Sequence, residues 1–370
     1  MNNTIQPSIL NPSLKCNGCG ALLYFIPGSG NLKCDHCGVS NPIATDQTST
    51  IIKSFDYELF ISKTNQHKTT DDQKVVKCSS CGSETVLSSF TTSDKCSFCT
   101  APLVLSPENG QQYVPPHYIL PFEINKELAI HNFQNWLNKL WWTPSDLIKQ
   151  VKDSTSSLQG VYLPYWTFDT NTSSAFNGSR GDYYYTTENY TVTENGKTEN
   201  RTRQVQHTRW TTVTGQVSNI FHDLIVPASK SLPPKTLEDL APWNFKLLVK
   251  FDERYMSGFR SETYQIDPQQ AFVFASEQTK ERIRATIESK IGGDEQRISG
   301  FYTDFNKRAI KYIMLPVWVS AYAYDKKIYQ FTVNASTGEV IGERPLSWTK
   351  IILFVFMILI LITIVVSFMG

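Results

Sequence analysis

The eight cysteines of this 370-residue chain form two sets with identical spacing. Cys16-x-x-Cys19 precedes Cys34-x-x-Cys37, and Cys78-x-x-Cys81 precedes Cys96-x-x-Cys99, with fourteen residues between the two pairs of each set. Four thiolates in so short a segment suit a tetrahedral zinc ion. The spacing predicts two zinc ions, with these ligands: Cys16, Cys19, Cys34, Cys37, Cys78, Cys81, Cys96 and Cys99.

The predicted zinc ions are structural, because four thiolates leave no open coordination position for a reacting water. A redox role for the Cys-x-x-Cys pairs would need a βαβ context, which the sequence lacks. Disulfides would conflict with a reducing compartment. His36, inside the second pair, is either a fifth donor or an exposed turn residue, and the filled tetrahedral site favours the turn residue.

Each cysteine set is expected to hold a strand–turn–strand unit, a zinc ribbon. Gly20, Gly38 and Gly82 follow three of the four pairs and suit a turn with positive φ, whereas Thr100 follows the fourth. Segments this short need the metal to fold. The predicted boundaries are 12–44 for ribbon 1, 45–74 for a linker and 75–105 for ribbon 2. Within the linker, 55–61 could be a short helix, and the polar run 62–74 is expected to be flexible.

Near the C-terminus, residues 351–368 carry no charge and are long enough to cross a bilayer as a helix. A transmembrane helix is predicted over 350–369, contacting lipid through 351–368. Arg344 and Lys350 precede it and no basic residue follows, so residues 1–350 are placed in the cytoplasm. This agrees with cysteines kept reduced as metal ligands.

Charge and aromatic content narrow the class of partner. The formal net charge is +1, and both ribbons are close to neutral, so a phosphate backbone is an unlikely partner.

Most aromatic residues are expected in the core. A membrane-interface or ligand role is the alternative for Trp141, Trp142, Trp318 and Trp348, and Trp348 is the strongest candidate for the interface.

Between the ribbons and the apolar helix, residues 120–346 are predicted to form one β-rich α+β domain. Helical spacing is found over 125–142 and 267–290, and Asn195-Gly196 predicts a hairpin. A strand over 160–168 contains Pro164 and is expected at a sheet edge or a bend. Leu-Pro-x-Trp occurs twice, ending at Trp166 and Trp318, which suggests a duplication.

No catalytic motif is found, so the chain is not predicted to be an enzyme and no catalytic residue is assigned. Gly196-Lys197-Thr198 lacks the first glycine of a phosphate loop, and no hydrophobic strand precedes Asp294-Glu295. The six histidines are scattered. Arg201, Arg203 and Arg209 could bind an anion, but a solvated strand face is the favoured interpretation.

A resemblance to known proteins rests on the cysteine sets and on these stretches: 160–169, 180–185, 242–243, 291–296 and 333–345. On these residues the chain resembles a family of bacterial membrane proteins with N-terminal zinc ribbons like that of transcription factor IIB. Members are often labelled as primosomal or helicase-like, but this sequence lacks both helicase nucleotide motifs. Some are encoded beside relatives of phage-shock protein A and flotillin-like proteins, which implies a role in membrane stress or organisation. The family offers no catalytic residues to carry over.

Two functions remain as hypotheses. The leading one is a membrane-anchored cytoplasmic adaptor whose ribbons, held on a flexible tether, recruit protein partners at the bilayer. The alternative is a nucleic-acid-binding protein of the primosome or transcription type. An enzyme acting through a pocket in 120–345 is less favoured, and the sequence identifies no small-molecule ligand.

Overall fold

The computed structural model describes residues 16–21, 23–43, 52–64, 74–77, 83–87, 94–95, 102–103, 116–144, 146–147, 151, 158–194, 197–262 and 264–369. The strands, in chain order, are β1 (Leu23–Ile26), β2 (Asn31–Cys34), β3 (Ser40–Pro42), β4 (Phe55–Asp56), β5 (Lys74–Lys77), β6 (Glu84–Leu87), β7 (Asp94–Lys95), β8 (Pro102–Leu103), β9 (Tyr118–Ile119), β10 (Gln159–Glu194), β11 (Lys197–Pro227), β12 (Val249–Lys250), β13 (Arg260–Glu262), β14 (Glu295–Tyr324), β15 (Lys327–Asn334) and β16 (Val340–Gly342). The helices are α1 (Tyr57–Thr64), α2 (Lys126–Lys139), α3 (Pro234–Asp239), α4 (Pro268–Ile291) and α5 (Trp348–Met369).

Three unusually long strands organise the fold. β10 lies between β11 and β14 and is antiparallel to both. The shorter strands extend this sheet: β13, β6 and β5 beyond β10, and β9, β12, β4, β15 and β16 around β14. Strands β1, β2 and β3 form a separate antiparallel sheet at the N-terminus. The predicted α+β class is confirmed, with a sheet far larger than the sequence pattern indicated.

The two Leu-Pro-x-Trp motifs pair with each other at the centre of the sheet. Leu163 lies opposite Leu315, Tyr162 opposite Pro316, and Pro164 opposite Met314. The pairing is symmetric about Leu163 and Leu315, as a local twofold axis through these two leucines requires.

The same axis relates two β-α-β-β units, β9-α2-β10-β11 and β13-α4-β14-β15. The first strand of each unit pairs in parallel with the long strand of the other: β9 with β14, and β13 with β10. Trp166 donates its indole N–H to the Ile266 carbonyl before α4, and Trp318 donates to the Ile124 carbonyl before α2. Equivalent interactions in both units support the predicted duplication.

The expectation that Pro164 marks an edge or a bend is wrong, because β10 is a central strand. Pro164 lacks an N–H, yet its carbonyl accepts from Ala228. On that side β13 pairs with β10 up to Tyr162, and β11 pairs from Tyr165 onward. The proline therefore sits where one neighbour ends and the next begins, so no ladder hydrogen bond is lost.

Both predicted helices are confirmed, and their caps explain their limits. Asn125 accepts from the Leu128 N–H at the start of α2, and Asp267 accepts from the Gln269 and Gln270 N–H groups at the start of α4. Gly292, with φ of 66°, ends α4. The apolar stripe of α4 packs on the sheet through Ile283, Ile287 and Ile291 against Phe176, Val217 and Phe221.

Candidate metal centre

Two tight turns position the first cysteine set. The Gly20 N–H donates to the Cys16 carbonyl at 2.9 Å, and the Gly38 N–H donates to the Cys34 carbonyl at 2.8 Å. Both glycines have positive φ, 72° and 74°, a conformation that side chains disfavour. The expected role of these two glycines is confirmed, and each turn directs its two sulfur atoms inward.

The four sulfur atoms have the spacing of a metal site. Cys16 Sγ lies 3.5 Å from Cys37 Sγ, and Cys19 Sγ lies 3.5 Å from Cys34 Sγ. All four lie within 4.8 Å of one another. A zinc ion with four sulfurs at about 2.3 Å would separate them by about 3.8 Å. Four cysteines of the first set therefore form a cluster that fits one tetrahedral ion.

The local backbone favours thiolates at the two buried positions. Hydrogen bonds from the Gly18 and Cys19 N–H groups lower the pKa of Cys16 to about 6. Hydrogen bonds from the Cys37 and His36 N–H groups also lower the pKa of Cys34. Cysteine ligands bind metal as thiolates, so these donors prepare the cluster for a cation.

His36 is exposed and does not belong to the cluster. The four sulfurs can complete a tetrahedron by themselves, so a bound ion would have no open position. The arrangement suits a structural ion that cross-links the two turns around β1 and β2, and it offers no site for metal-assisted catalysis.

The small sheet that carries the cluster packs against segments that flank the strands of the large sheet. The Phe25 N–H donates to the Ser257 carbonyl at 3.0 Å, and the Gly28 N–H donates to the Phe122 carbonyl at 2.8 Å. The Phe25 ring contacts the ring of Tyr255, with centroids 5.2 Å apart. The expectation of a tethered first ribbon is thus wrong, because β1 offers both an apolar face and hydrogen-bonding groups that the domain covers.

Cys78, Cys81, Cys96 and Cys99 lie outside the described residues. The strands that flank them in sequence are described. Lys77 at the end of β5 pairs with Glu84 at the start of β6, and Lys95 on β7 pairs with Pro102 on β8. β6 also joins the large sheet by pairing with β13, Val86 opposite Ser261.

The linker also contributes to the domain. Of the polar run 62–74, expected to be flexible, residues 62–64 belong to α1 and Lys74 begins β5, whereas 65–73 lie outside the described residues. The short helix considered for 55–61 is present as α1, which begins at Tyr57. Tyr57 and Phe60 are buried, and Phe60 packs edge-on against Trp166. Arg308 pairs with Glu58. The segment therefore covers one side of the β10–β14 pair.

A buried charged cluster was missed by sequence reasoning. The Lys311 side chain, only 7% exposed, donates to Asp169 Oδ2 at 3.2 Å and lies 2.7 Å from Asp223 Oδ1. Its Nζ also lies 3.1 Å from Ser54 Oγ. Although burial acts against it, the hydrogen bonds from Ser54 and Asp223 and the charge of Lys311 lower the pKa of Asp169.

This charged cluster is assembled by long-range strand pairing. Asp169 lies opposite Ala309, two residues from Lys311, so the two side chains lie on the same face of the sheet. The register of β10 against β11 shifts between Phe168 and Thr170, next to Asp223, and Ser54 of the linker donates to Asp169. No spacing in the sequence brings positions 54, 169, 223 and 311 together, so nothing in the sequence signals the site.

The four tryptophans considered for the membrane interface separate into two groups. Trp318 is buried in the core, and Trp142 packs against Phe354 of α5 with ring centroids 5.1 Å apart. Trp141 and Trp348 are 73% and 72% exposed. Both flank the start of α5, where Lys350 Nζ donates to the Thr143 carbonyl at 2.7 Å.

α5 is long and apolar enough to cross a membrane over Trp348–Phe368, and none of that window is buried within the described structure.

Two of the three hairpin arginines considered for an anion site have acidic partners nearby. Arg201 pairs with Glu199, and Arg203 pairs with Glu188. This supports a solvated strand face over an anion site.

Comparison with known proteins finds a relative that spans almost the whole chain. The chain is 25% identical over 349 residues to the uncharacterized protein YdjG of Bacillus subtilis (strain 168), and the match covers 92% of each chain. No protein-family model matches the chain, and no solved structure matches it. The match therefore spans nearly the full length of both chains.

Proposed function

We propose that this chain is a membrane-anchored, zinc-stabilised adaptor that presents a protein-binding surface near the bilayer. The single observation that carries the proposal is α5: an apolar helix with no covering in the described structure, fixed to a folded α+β body. A helix that is apolar on all sides needs an apolar surrounding, and a bilayer provides one of matching thickness. The helix would be a single C-terminal anchor.

The attachment of α5 to the domain supports an anchor that orients the domain. Lys350 Nζ bonds the Trp141 and Thr143 carbonyls just after α2, and the Ser347 N–H donates to the Trp142 carbonyl. Exposed Trp141 and Trp348 suit the polar–apolar boundary, where amphipathic indoles concentrate. Lys350 and Arg344 precede the helix, which supports a cytoplasmic location for residues 1–350.

Zinc is the proposed metal, because four thiolates at this spacing match its preferred ligands and geometry. The first set would then be a zinc ribbon of the transcription factor IIB type, as the resemblance implies. Identical spacing in the second set suggests a second zinc ion there. The ions would supply folding stability, and the residues around them would supply the recognition surface.

The position of the first ribbon favours action close to the membrane. The ribbon contacts Phe122, just before α2, and α5 contacts Trp142, just after it. A 14-residue helix spans about 21 Å, so the ribbon would lie within tens of ångströms of the bilayer. A docked ribbon would present partners with a fixed direction, which a tether could not do.

A replacement experiment tests the adaptor. Partners are crosslinked and purified from membranes with the native chain, with a variant lacking 348–370, and with α5 replaced by an unrelated transmembrane helix. The proposal expects the native chain and the chain with the replaced anchor to recover the same specific set of proteins. The truncated variant should no longer recover these proteins. Recovery of DNA-processing proteins with salt-sensitive DNA binding, or of no specific protein, would contradict it.

A further inference from the structure

The hairpin of β10 and β11 extends beyond the rest of the sheet. β14 begins at Glu295, opposite Gly181, whereas β10 continues to Glu194 and pairs with β11 as far as Lys197. At about 3.3 Å per residue, this two-stranded arm is about 40 Å long. β14 runs from this arm toward Tyr324, which bonds Asp146 beside the anchor end of the domain. The arm therefore points away from α5.

The two faces of the β10–β11 ribbon differ sharply in charge. On the side that carries α4, alternate positions include acidic and basic residues that pair across the strands, such as Glu188 with Arg203. The other side consists of alternate residues from Asn171 to Thr193 on β10 and from Thr198 to Ile220 on β11. None of these residues is charged, and Ser, Thr, Asn and Gln predominate. We call this side the uncharged face.

The assignment of sides rests on contacts and on strand alternation. Phe176 and Val217 pack under α4, and Asn219 donates to Thr286 of the same helix. The pairing of β10 with β11 has no irregularity from Thr170 to the hairpin end, so neighbouring residues point to opposite sides throughout. Apart from Gly181, every residue of the uncharged face is at least partly exposed.

We propose that the uncharged face binds the same face of a second copy of this chain. A twofold interface places one surface against the same surface of the second copy. A charged side chain near the axis would therefore face the same charge and be repelled. Hydroxyl and amide groups avoid that conflict, because each both donates and accepts hydrogen bonds. The uncharged face is therefore complementary to itself, whereas the opposite face carries its charges into solvent.

The area of the uncharged face is sufficient for a stable dimer. Two strands about 75 Å long and about 10 Å wide offer about 750 Å² per copy. Specific interfaces bury about 800 Å² per partner. Exposed Tyr185, with 59% of its surface open, adds the kind of aromatic contact that such interfaces favour.

Two charges of the third strand reach this face beside Gly181. Arg297 of β14 lies over the Trp210 ring at 3.8 Å, and Glu295 accepts from the Tyr183 hydroxyl at 3.0 Å. They have opposite signs and lie where β14 begins, so the part of the face beyond Gly181 carries no charge. If α5 anchors both copies in one bilayer, their arms point the same way, as a twofold axis along the arms requires.

Site-specific photocrosslinking in membranes tests the interface with a matched pair of positions. Tyr185 lies on the uncharged face, and its neighbour Tyr184 lies on the opposite face with 44% exposure. The full chain carries p-benzoylphenylalanine at one position or the other. We expect irradiation to give a band of two chains for Tyr185 and at least tenfold less for Tyr184. Equal yields, or a Tyr185 adduct with a different protein, would overturn the proposal.

Sedimentation of the detergent-solubilised chain gives a second measurement. Thr212→Glu puts a carboxylate on the uncharged face, and Thr211→Glu puts one on the opposite face; both threonines are exposed. We expect dimers for the native chain and Thr211→Glu, and at least tenfold weaker dimerisation for Thr212→Glu. A monomeric native chain, or dimers unaffected by Thr212→Glu, would overturn the proposal. Unchanged circular dichroism would establish that Thr212→Glu folds.

Discussion

Lys311 shows how one residue can hold distant parts of this chain together. Its ammonium group contacts β10 through Asp169, β11 through Asp223 and the linker through Ser54. We expect Lys311→Met to lower the free energy of unfolding by about 3 kcal/mol, because it leaves two carboxylates without their counter-charge. Urea denaturation of the purified protein measures the change.

The control for Lys311 removes the same charge at the surface. Lys246 is exposed, so Lys246→Met is expected to change the free energy of unfolding by less than about 0.5 kcal/mol. Adding Asp169→Asn to Lys311→Met should recover part of the loss, since one uncompensated charge disappears. Equal effects of the two lysine variants would show that the buried cluster contributes nothing.

His117 predicts a loss of stability in mild acid. Burial lowers its pKa to about 4, and its Nδ1 accepts from the Tyr312 N–H at 3.0 Å. In the unfolded chain the His117 pKa is about 6.5, so below pH 6.5 the unfolded state binds this proton more readily than the folded state. The contribution of His117 to the free energy of unfolding is therefore fully present above pH 6.5 and is lost toward pH 4. Between pH 7 and pH 5 the free energy of unfolding falls by about 2 kcal/mol.

The histidine prediction is tested by comparing stability at the two pH values. His117→Gln keeps a hydrogen-bond acceptor but does not titrate, so its loss between pH 7 and 5 should be smaller by about 2 kcal/mol. Identical pH dependence of the native protein and the variant would refute the assignment.

At the residue scale, the first cysteine cluster could be predicted from the sequence, whereas the buried polar contacts could not. Cys16, Cys19, Cys34 and Cys37 could be found because local turns bring short-range pairs together. Asp169 and Lys311 could not, because only the long-range register of β10 and β14 brings them into contact. Their types, one carboxylate and one amine in separate strands, are common on any protein surface.

At the element scale, the paired tryptophans test the duplicated β-α-β-β architecture. Trp166 and Trp318 each donate to the carbonyl that precedes a helix cap. We expect Trp166→Phe and Trp318→Phe to lower the free energy of unfolding by similar amounts, about 2 kcal/mol each, through a lost hydrogen bond and a small cavity. Chemical denaturation followed by circular dichroism compares them.

An exposed tryptophan provides the control for that comparison. Trp348→Phe in the detergent-solubilised chain should leave stability unchanged, because its ring is 72% exposed. A large loss for one core variant and none for the other would mean that the two units do not share equivalent contacts.

Helices were easier to predict than strands in this chain. Asn125 and Asp267 are local cap signals, and they mark the starts of α2 and α4 within one residue. Strand length was underestimated, because polar alternation in β10 and β11 looks like several short strands. Only pairing partners establish that these strands are continuous. The prediction for Pro164 was wrong for the same reason. Whether a central strand can contain a proline depends on which strand lies beside that position, and the sequence does not show this.

At the scale of the whole molecule, the structure connects the cysteine cluster, the large sheet and the apolar helix α5. The first ribbon contacts Ser257 and Phe122, so loss of its metal should reach the domain. We expect Cys19→Ser to abolish one zinc site and to lower the melting temperature of the domain by several degrees, as the contacts of Phe25 are lost. Differential scanning calorimetry with zinc analysis measures both.

His36→Ala is the matched control for the ligand variant. His36 lies next to a ligand but outside the cluster, so zinc content and melting temperature should both stay at native values. Zinc loss in His36→Ala would mean that the imidazole is a ligand, contrary to the four-thiolate site.

The central claim is that four-thiolate zinc sites stabilise a folded body anchored at a membrane. The most direct measurement is the zinc content per chain of the full-length protein purified from membranes in detergent, together with the redox state of its cysteines. The account predicts two zinc ions per chain, one for each cysteine set, with all eight cysteines reduced. A zinc content near zero with Cys16, Cys19, Cys34 and Cys37 in disulfides would contradict both the metal centre and the cytoplasmic placement.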